Sequence, residues 1–196
     1  MRKSSVAVSR RAAACRLCWT WLVWLFVACA AQAASTTYTL AGRVVRVADG
    51  DTLTLLISGV QHRIRLASID APETGHGRKR PNQPYGEASR RSLSGLVAGK
   101  SVVLRCYERD HYGRDVCDVP LEEGRTASQV QVATGMAWAN LQGGGKYLRD
   151  RGLLAMERQA RDQRLGLWRD KAPVPPWEWR QECWKALESG NSTPIC

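Results

Sequence analysis

The feature that most constrains the fold of this chain is a run of short alternating segments between Arg43 and Glu73. Apolar and polar residues alternate through residues 42–48, 52–57 and 62–69. This period of two is the pattern of strands with one buried face. We therefore predict three short, consecutive strands in this part of the chain.

Charged residues collect at the ends of these predicted strands. Asp51 lies in the connection between the first two strands, the third strand carries Arg65, and Asp70 and Glu73 follow it. Each acid alone fits a turn or a solvated loop. The complete pattern, DGDT-x(12)-R-x(4)-D-x-P-E, is much more specific, because carboxylate oxygens suit Ca²⁺ or Mg²⁺ and a guanidinium matches a phosphate.

With this pattern the chain resembles the staphylococcal-nuclease-like (thermonuclease) family. The similarity spans residues 39–168 and includes YGEAS at 85–89, DHYGR at 110–114 and LGLW at 165–168. The resemblance implies an α+β fold, a five-stranded OB-type β-barrel with three helices. It also implies metal-assisted hydrolysis of nucleic-acid phosphodiester bonds, with Ca²⁺ as the cofactor. The implied substrate is DNA, and RNA is an open alternative.

The resemblance also implies roles for individual residues. Three residues would offer a hard oxygen to the cation: the Asp51 and Asp70 carboxylates and the Ala71 carbonyl. Arg65 and Arg114 would bind the scissile phosphate, and Glu73 would activate or order the attacking water. Tyr112 would hydrogen-bond the phosphate or line the nucleotide pocket.

One departure from the family concerns the nucleotide bases. The family has tyrosines in its nucleotide pocket where this chain has Leu141 and Gly143. We therefore expect base contacts from another side chain, with Trp138 or Tyr147 as the candidates.

Two other classes of function fit parts of the sequence. A non-catalytic OB-type module could bind nucleic acid through a basic face. A structural protein of the cell envelope would explain why the chain has an export signal and cysteines that can form disulfide bonds. Asp51, Asp70 and Glu73 are present together with both arginines, and this set favours an enzyme.

The N-terminus has the composition of a signal peptide, residues 1–33. Five basic residues lie in this segment, which also has the apolar run 17–31 and the small-residue site Ala31-Gln32-Ala33. An uncleaved anchor and lipidation at Cys29 are the lesser alternatives. We predict a protein that is exported to the periplasm or secreted, with no membrane span after processing.

Charge favours a polyanionic partner. Five of the 29 basic residues and none of the 18 acidic ones precede Ala33, which leaves a net charge of +6 after processing. Such an excess attracts nucleic acid by electrostatic steering and counterion release. The remaining length suits one domain, residues 34–170, with a short tail at residues 171–196, and we expect a monomer.

The cysteines agree with export. Four of the seven remain after processing, and an even number in an exported chain indicates disulfides, with three possible pairings. Cys106 and Cys117 lie on two predicted strands that flank a loop, so a bond across this hairpin is geometrically simple. Cys183 and Cys196 would then close the tail.

The rest of the chain alternates between helical and strand patterns. Helical spacing occurs at residues 86–97, 126–134 and 148–164, and strand patterns at residues 101–107 and 114–119. The prolines of residues 173–179 predict an end to regular structure and the start of the tail. We expect Trp177, Trp179 and Trp184 of the tail to pack on the barrel, and base stacking is the alternative.

Overall fold

The computed structural model describes residues 37–191 and 195–196. The predicted signal peptide, residues 1–33, and the predicted start of the mature domain at residue 34 lie outside the described residues. Across the part of the chain that is described, no helix is both long and apolar enough to span a bilayer.

Five strands form a closed β-barrel. Their bounds are Tyr38–Val47 (β1), Thr52–Ile57 (β2), Val60–Leu66 (β3), Ser101–Arg109 (β5) and Asp115–Asp118 (β6). Their order around the barrel is β1-β2-β3-β6-β5, and β5 pairs with β1 to close it. The β3–β6 pair is parallel and the others are antiparallel. This arrangement confirms the predicted five-stranded OB-type barrel, in which closure leaves no free sheet edge.

The core lies inside this barrel. Leu53 and Leu55 of β2, and Ile64 and Leu66 of β3, have side chains almost completely removed from solvent. They occupy every second position, as the alternation in the sequence predicts, because successive side chains of a strand point to opposite faces. A separate two-stranded sheet, Ile69–Asp70 (β4) with Trp138–Ala139 (β7), lies just beyond β3.

Three longer helices accompany the barrel, as predicted: Gly86–Val97 (α1), Ala127–Ala133 (α2) and Leu153–Asp162 (α4). Thr126 caps the N-terminus of α2 and forms a capping box with Gln129. The third helix begins at Leu153 and not at residue 148 as predicted. The residues before it include the short segment Gln142–Gly145 (α3), where Gly143 and Gly144 have positive φ.

The tail is helical, so the prediction that regular structure ends at residues 173–179 is wrong. Pro176–Glu178 (α5), a π-helix at Trp179–Trp184 and Lys185–Glu188 (α6) follow one another without a break. We call these three segments the tail helix. It can begin at a proline because Pro176 occupies the first turn, where the missing N–H has no partner to lose.

The tail tryptophans are packed, as predicted, but against the tail itself and the residues around Trp168 and not in the barrel core. Trp179 and Trp184 are buried with Cys183 in one apolar cluster. Trp177 packs against a neighbouring cluster that contains Trp168. Trp177 therefore packs against the domain, and the burial of Trp179 and Trp184 leaves neither of these two rings open to a base.

Within the described residues, two disulfide bonds are present, Cys106–Cys117 and Cys183–Cys196. The first joins directly paired residues of β5 and β6. The second closes the end of the tail around the tail helix. Both have the pairing that the sequence favours.

Replacing Cys183 and Cys196 together by Ser should lower the free energy of unfolding by about 2–4 kcal/mol, because the unfolded chain loses a covalent constraint. Urea unfolding of the oxidised protein and of the double variant measures the difference. The same pair of substitutions at Cys106 and Cys117 is the control, since it leaves the tail linked. Equal unfolding midpoints for the tail variant and the unmodified protein would contradict the expectation.

Candidate active site

Asp51 lies in the turn between β1 and β2, where hydrogen bonds fix its position. Its backbone N–H donates to Asp49 Oδ1 at 2.9 Å, and its carbonyl accepts from the Leu66 N–H at 2.7 Å. The buried carboxylate accepts from the Thr52 hydroxyl at 2.8 Å and from the Ala71 N–H at 3.0 Å. The barrel thus fixes both the backbone and the side chain of Asp51.

Arg65 joins the two predicted aspartates. It lies opposite Thr52 in the β2–β3 register. Its Nη1 donates to Asp51 Oδ1 at 3.3 Å, and its Nη2 donates to Asp70 Oδ1 at 3.0 Å. The structure therefore brings together three of the residues predicted from the motif.

The Asp51 and Asp49 carboxyls respond differently to their surroundings. Burial opposes ionisation of Asp51, but Arg65, the Ala71 N–H, the Thr52 hydroxyl and Arg114 together lower its pKa. Desolvation and the neighbouring Asp51 charge raise the pKa of Asp49 well above its usual value. Asp51 is therefore the carboxylate that stays ionised, because a guanidinium faces it.

Glu73 is held by its backbone. Its N–H donates to Gln83 Oε1 at 3.0 Å, and its carbonyl accepts from the Gln83 N–H at 3.0 Å. A Cβ at Gly86 would lie 2.2 Å from the same carbonyl, so α1 can approach only because residue 86 is a glycine. Burial raises the pKa of the Glu73 carboxyl to about 7, while Arg180 opposes that rise.

Arg180 is a member of this cluster that the sequence motif does not contain. Its Nη2 lies 2.8 Å from Asp70 Oδ2, its Nη1 lies 3.2 Å from Asp70 Oδ1, and Nη1 also donates to Glu73 Oε1. Asp70 and Glu73 are 110 and 107 positions away in the sequence. No spacing rule could have linked them, because only the docked tail helix brings Arg180 to the barrel.

Asp70 is surrounded by donors. Its side chain is 1% exposed, and it accepts from Arg65, from Arg180 and from Gln142 Nε2 at 2.9 Å. Arg65 and Arg180 share Oδ1, while Arg180 and Gln142 share Oδ2. Each oxygen of a carboxylate has about two acceptor sites, so Asp70 has no vacant site in this state.

Arg114 and Tyr112 lie beside the cluster and do not touch its carboxylates. The Arg114 Nη2 and Nε donate to Asp110 Oδ2 at 2.7 and 2.8 Å. The guanidinium also lies 5.3 Å from the centre of the Tyr112 ring, which is 67% exposed. Arg114 is near enough to contribute to the lowered pKa of Asp51, and its Nη1 forms no hydrogen bond within residues 37–191.

The donor chemistry of the cluster fits a divalent cation. Four carboxyl groups interact here, those of Asp49, Asp51, Asp70 and Glu73, and Arg65 and Arg180 form ion pairs with the last three. Burial is the main cause of the raised pKa values of Asp49 and Glu73, and the charge of the neighbouring Asp51 raises them further. Among the described residues, however, no group of three or more His, Cys, Asp or Glu side chains is arranged to hold a metal ion.

The expected base contacts are corrected in one respect. Trp138 is buried and stacks edge-on against Trp168, with 5.3 Å between ring centroids. It packs in the core and cannot stack on a base, so that part of the expectation is wrong. Tyr147 is exposed, with Lys146 Nζ 4.7 Å from its ring centre.

A buried polar network supports the turn that carries Asp51. Gln131 of α2 donates from Nε2 to the Gly50 carbonyl at 2.7 Å. Ser92 of α1 donates to Gln131 Oε1 at 2.6 Å. Helices α1 and α2 therefore hold the turn through a side chain that sequence periodicity would not single out.

A profile of the staphylococcal nuclease homologue family matches residues 63–170, more than half of the chain. The chain belongs to this family. The matched residues include Arg65, Asp70, Glu73 and Arg114, while Asp51 precedes them and the tail follows them.

Several relatives of this staphylococcal nuclease homologue cover most of its length. An uncharacterized endonuclease from Escherichia coli O157:H7 is 43% identical over 139 residues, covering 71% of this chain and 84% of the relative. Protein ParB of Escherichia coli is 37% identical over 190 residues, covering 93% and 96%. A micrococcal nuclease of Shigella flexneri is 38% identical over 148 residues, covering 71% and 80%. The family and these names support a nuclease function.

Replacing Gly50 by Ala should destabilise the protein by about 1–3 kcal/mol through overpacking. A Cβ at this position would lie 1.7 Å from Ser89 Oγ and 2.8 Å from Ala71 Cβ. Gly95→Ala is the matched control, because no heavy atom lies within 4 Å of a Cβ there and alanine favours a helix. Thermal unfolding should rank Gly50→Ala below the unmodified protein and Gly95→Ala at or above it; the reverse order would contradict this packing.

Proposed function

We propose that this staphylococcal nuclease homologue is an exported, Ca²⁺-dependent endonuclease that hydrolyses phosphodiester bonds of DNA. The observation that carries the proposal is the Arg65 guanidinium between the buried carboxylates of Asp51 and Asp70, with Glu73 beside them. An anionic substrate and an anionic cluster repel one another, so positive charge is needed between them. The donor set and its excess of carboxyls favour a divalent cation in that place.

The arginines have donors available for a phosphate. The Nη groups of Arg65 contact Asp51, Asp70 and the Ile69 carbonyl, while its Nε forms no hydrogen bond within the described chain. Arg114 likewise has its Nη1 available beside the Asp110 ion pair. In the proposed reaction these two guanidinium groups bind the scissile phosphate and stabilise the charge that develops on its oxygens.

Glu73 is suited to accept a proton from water. Its carboxyl has a pKa of about 7, raised by burial, so both of its protonation states are accessible near neutral pH. Arg180 binds one of its oxygens, Oε1, and the other is proposed to accept the proton of the attacking water. A bound Ca²⁺ would supply positive charge at the phosphate and lower the repulsion of the attacking oxygen. The Asp51 and Asp70 carboxylates, with the Ala71 carbonyl, are the proposed ligands.

Export to the periplasm or beyond the cell rests on the sequence. The basic, apolar and small-residue segments of residues 1–33 follow the order of a secretion signal. The two disulfide bonds are consistent with an oxidising compartment. A net charge of +6 after removal of residues 1–33 favours nucleic acid as the partner.

The decisive experiment is digestion of supercoiled plasmid by the mature protein with Ca²⁺, with Mg²⁺ and with excess EDTA. We expect nicked and linear plasmid with Ca²⁺, less cleavage with Mg²⁺, and none with EDTA. Single-stranded DNA and RNA tested in parallel define the substrate class. Retarded plasmid without cleavage in every condition would support the non-catalytic binding module instead, and full activity in EDTA would overturn the metal assignment.

Substitutions at the acids should separate cation binding from proton transfer. Asp51→Asn and Asp70→Asn should lose Ca²⁺ affinity and most of the activity, because each removes an anionic oxygen. Glu73→Gln should keep Ca²⁺ binding and lose turnover. Asp162→Asn is the control, since Asp162 is exposed on α4. Calorimetric titration with CaCl₂ and plasmid cleavage give the two readouts; unchanged Ca²⁺ affinity in both Asp variants would contradict their assignment.

Substitutions at the arginines test the phosphate contacts. Arg114→Ala and Arg65→Lys should each reduce turnover by roughly 10²–10³, since each removes donors aimed at developing charge. Lysine is chosen at residue 65 because alanine would also leave Asp51 and Asp70 without their bridge. Arg63→Ala, on the exposed face of β3, is the control. A folded variant with wild-type turnover would remove that arginine from the proposed site.

A further inference from the structure

The tail helix is fixed to the same loop that holds Glu73. Trp184 Nε1 donates to the Pro81 carbonyl at 3.0 Å, and Gln83 Nε2 donates to the Val174 carbonyl at 2.6 Å. Gln83 also makes both backbone hydrogen bonds of Glu73. One buried side chain therefore connects the tail and the proposed base, so the position of Arg180 relative to Glu73 is determined by packing.

Arg180 binds the two carboxylates in a specific geometry. Its guanidinium forms a fork on Asp70, with Nη2–Oδ2 at 2.8 Å and Nη1–Oδ1 at 3.2 Å, and it also donates to Glu73. The Arg180 side chain is 33% exposed, whereas that of Asp70 is 1% exposed. Such a fork orients a carboxylate as well as neutralising it.

The same contact limits what Asp70 can bind. Both of its oxygens accept two donors each, and Arg180 supplies one donor to each oxygen. A cation that coordinates Asp70 directly must displace a donor from it. Of the two arginines that bind Asp70, Arg180 has the more exposed side chain. Arg180 can also keep its contact with Glu73 when it releases Asp70.

We propose that Arg180 is a positioning residue of the active site, supplied by the tail: it provides the counter-charge that orients Asp70 and Glu73 and it competes with the divalent cation for Asp70. The inference rests on the proposed metal-dependent function. Arg180 lies outside the residues matched by the family profile. The site of this chain is therefore completed by a segment that follows the matched domain.

Removal of the Arg180 guanidinium should have opposite effects on Ca²⁺ affinity and on turnover. Removing the Arg180 charge makes the site more negative and frees Asp70, so Ca²⁺ should bind more tightly. Removing the guanidinium also releases Glu73 from its partner, so turnover should fall. A tail with only a structural role would weaken both properties together when it is disturbed.

The test uses the mature protein with Arg180→Met, with Lys185→Met as the matched control. Lys185 is exposed on the same tail helix and its replacement removes the same charge away from the carboxylates. Titration with CaCl₂ should give a Kd about tenfold lower for Arg180→Met than for the unmodified protein. At saturating Ca²⁺, kcat on single-stranded DNA should fall about tenfold or more, and Lys185→Met should change neither value.

Arg180→Lys extends the test to a variant that keeps the charge. A single ammonium cannot form the fork on Asp70, so its Ca²⁺ affinity should lie between those of the unmodified protein and Arg180→Met. If Arg180→Met does not fold, the comparison of Arg180→Lys with Lys185→Met decides the question. Unchanged or weaker Ca²⁺ binding in the folded Arg180 variants would overturn the role of Arg180 alone. Absence of Ca²⁺ binding in every variant, with cleavage unaffected by EDTA, would overturn the metal assignment and this inference with it.

Discussion

The contact on which the rest of the site depends is the Arg65 guanidinium between Asp51 and Asp70. Two carboxylates that are removed from water repel each other and resist ionisation unless a positive charge faces both. Arg65 can face both because β2 and β3 pair with Thr52 opposite Arg65. A shift of one residue in this register would turn the guanidinium to the other face of the sheet. The barrel is therefore what makes the buried charges tolerable.

The parts around the barrel hold the ends of its strands in place. Gln131 of α2 binds the Gly50 carbonyl, and Gln83 binds both backbone groups of Glu73. Both glutamine side chains are buried, and their hydrogen bonds to the protein replace those that each amide would form with water. Asp51 and Glu73 thus lie outside regular strands, and their positions are determined by two helices and a packed loop.

The tail gives the site a second arginine that contacts its carboxylates. Trp179 and Trp184 bury one side of the tail helix, and the Cys183–Cys196 bond closes its end. Arg180 follows the first of these tryptophans and extends to Asp70 and Glu73. Anchoring by apolar burial matters here because a long, flexible side chain loses entropy when it is ordered, and a rigid helix reduces that loss.

The sequence by itself determined the strands of the barrel and the grouping of Asp51, Arg65, Asp70 and Glu73, because each follows from local periodicity or from the ends of neighbouring strands. The roles of these residues in catalysis remain predictions. Only the tertiary structure decided that the tail is helical, that Trp138 is buried and that Arg180 binds the acids. Those features depend on contacts between segments as many as 110 residues apart, where packing and charge, and no local pattern, select the partner.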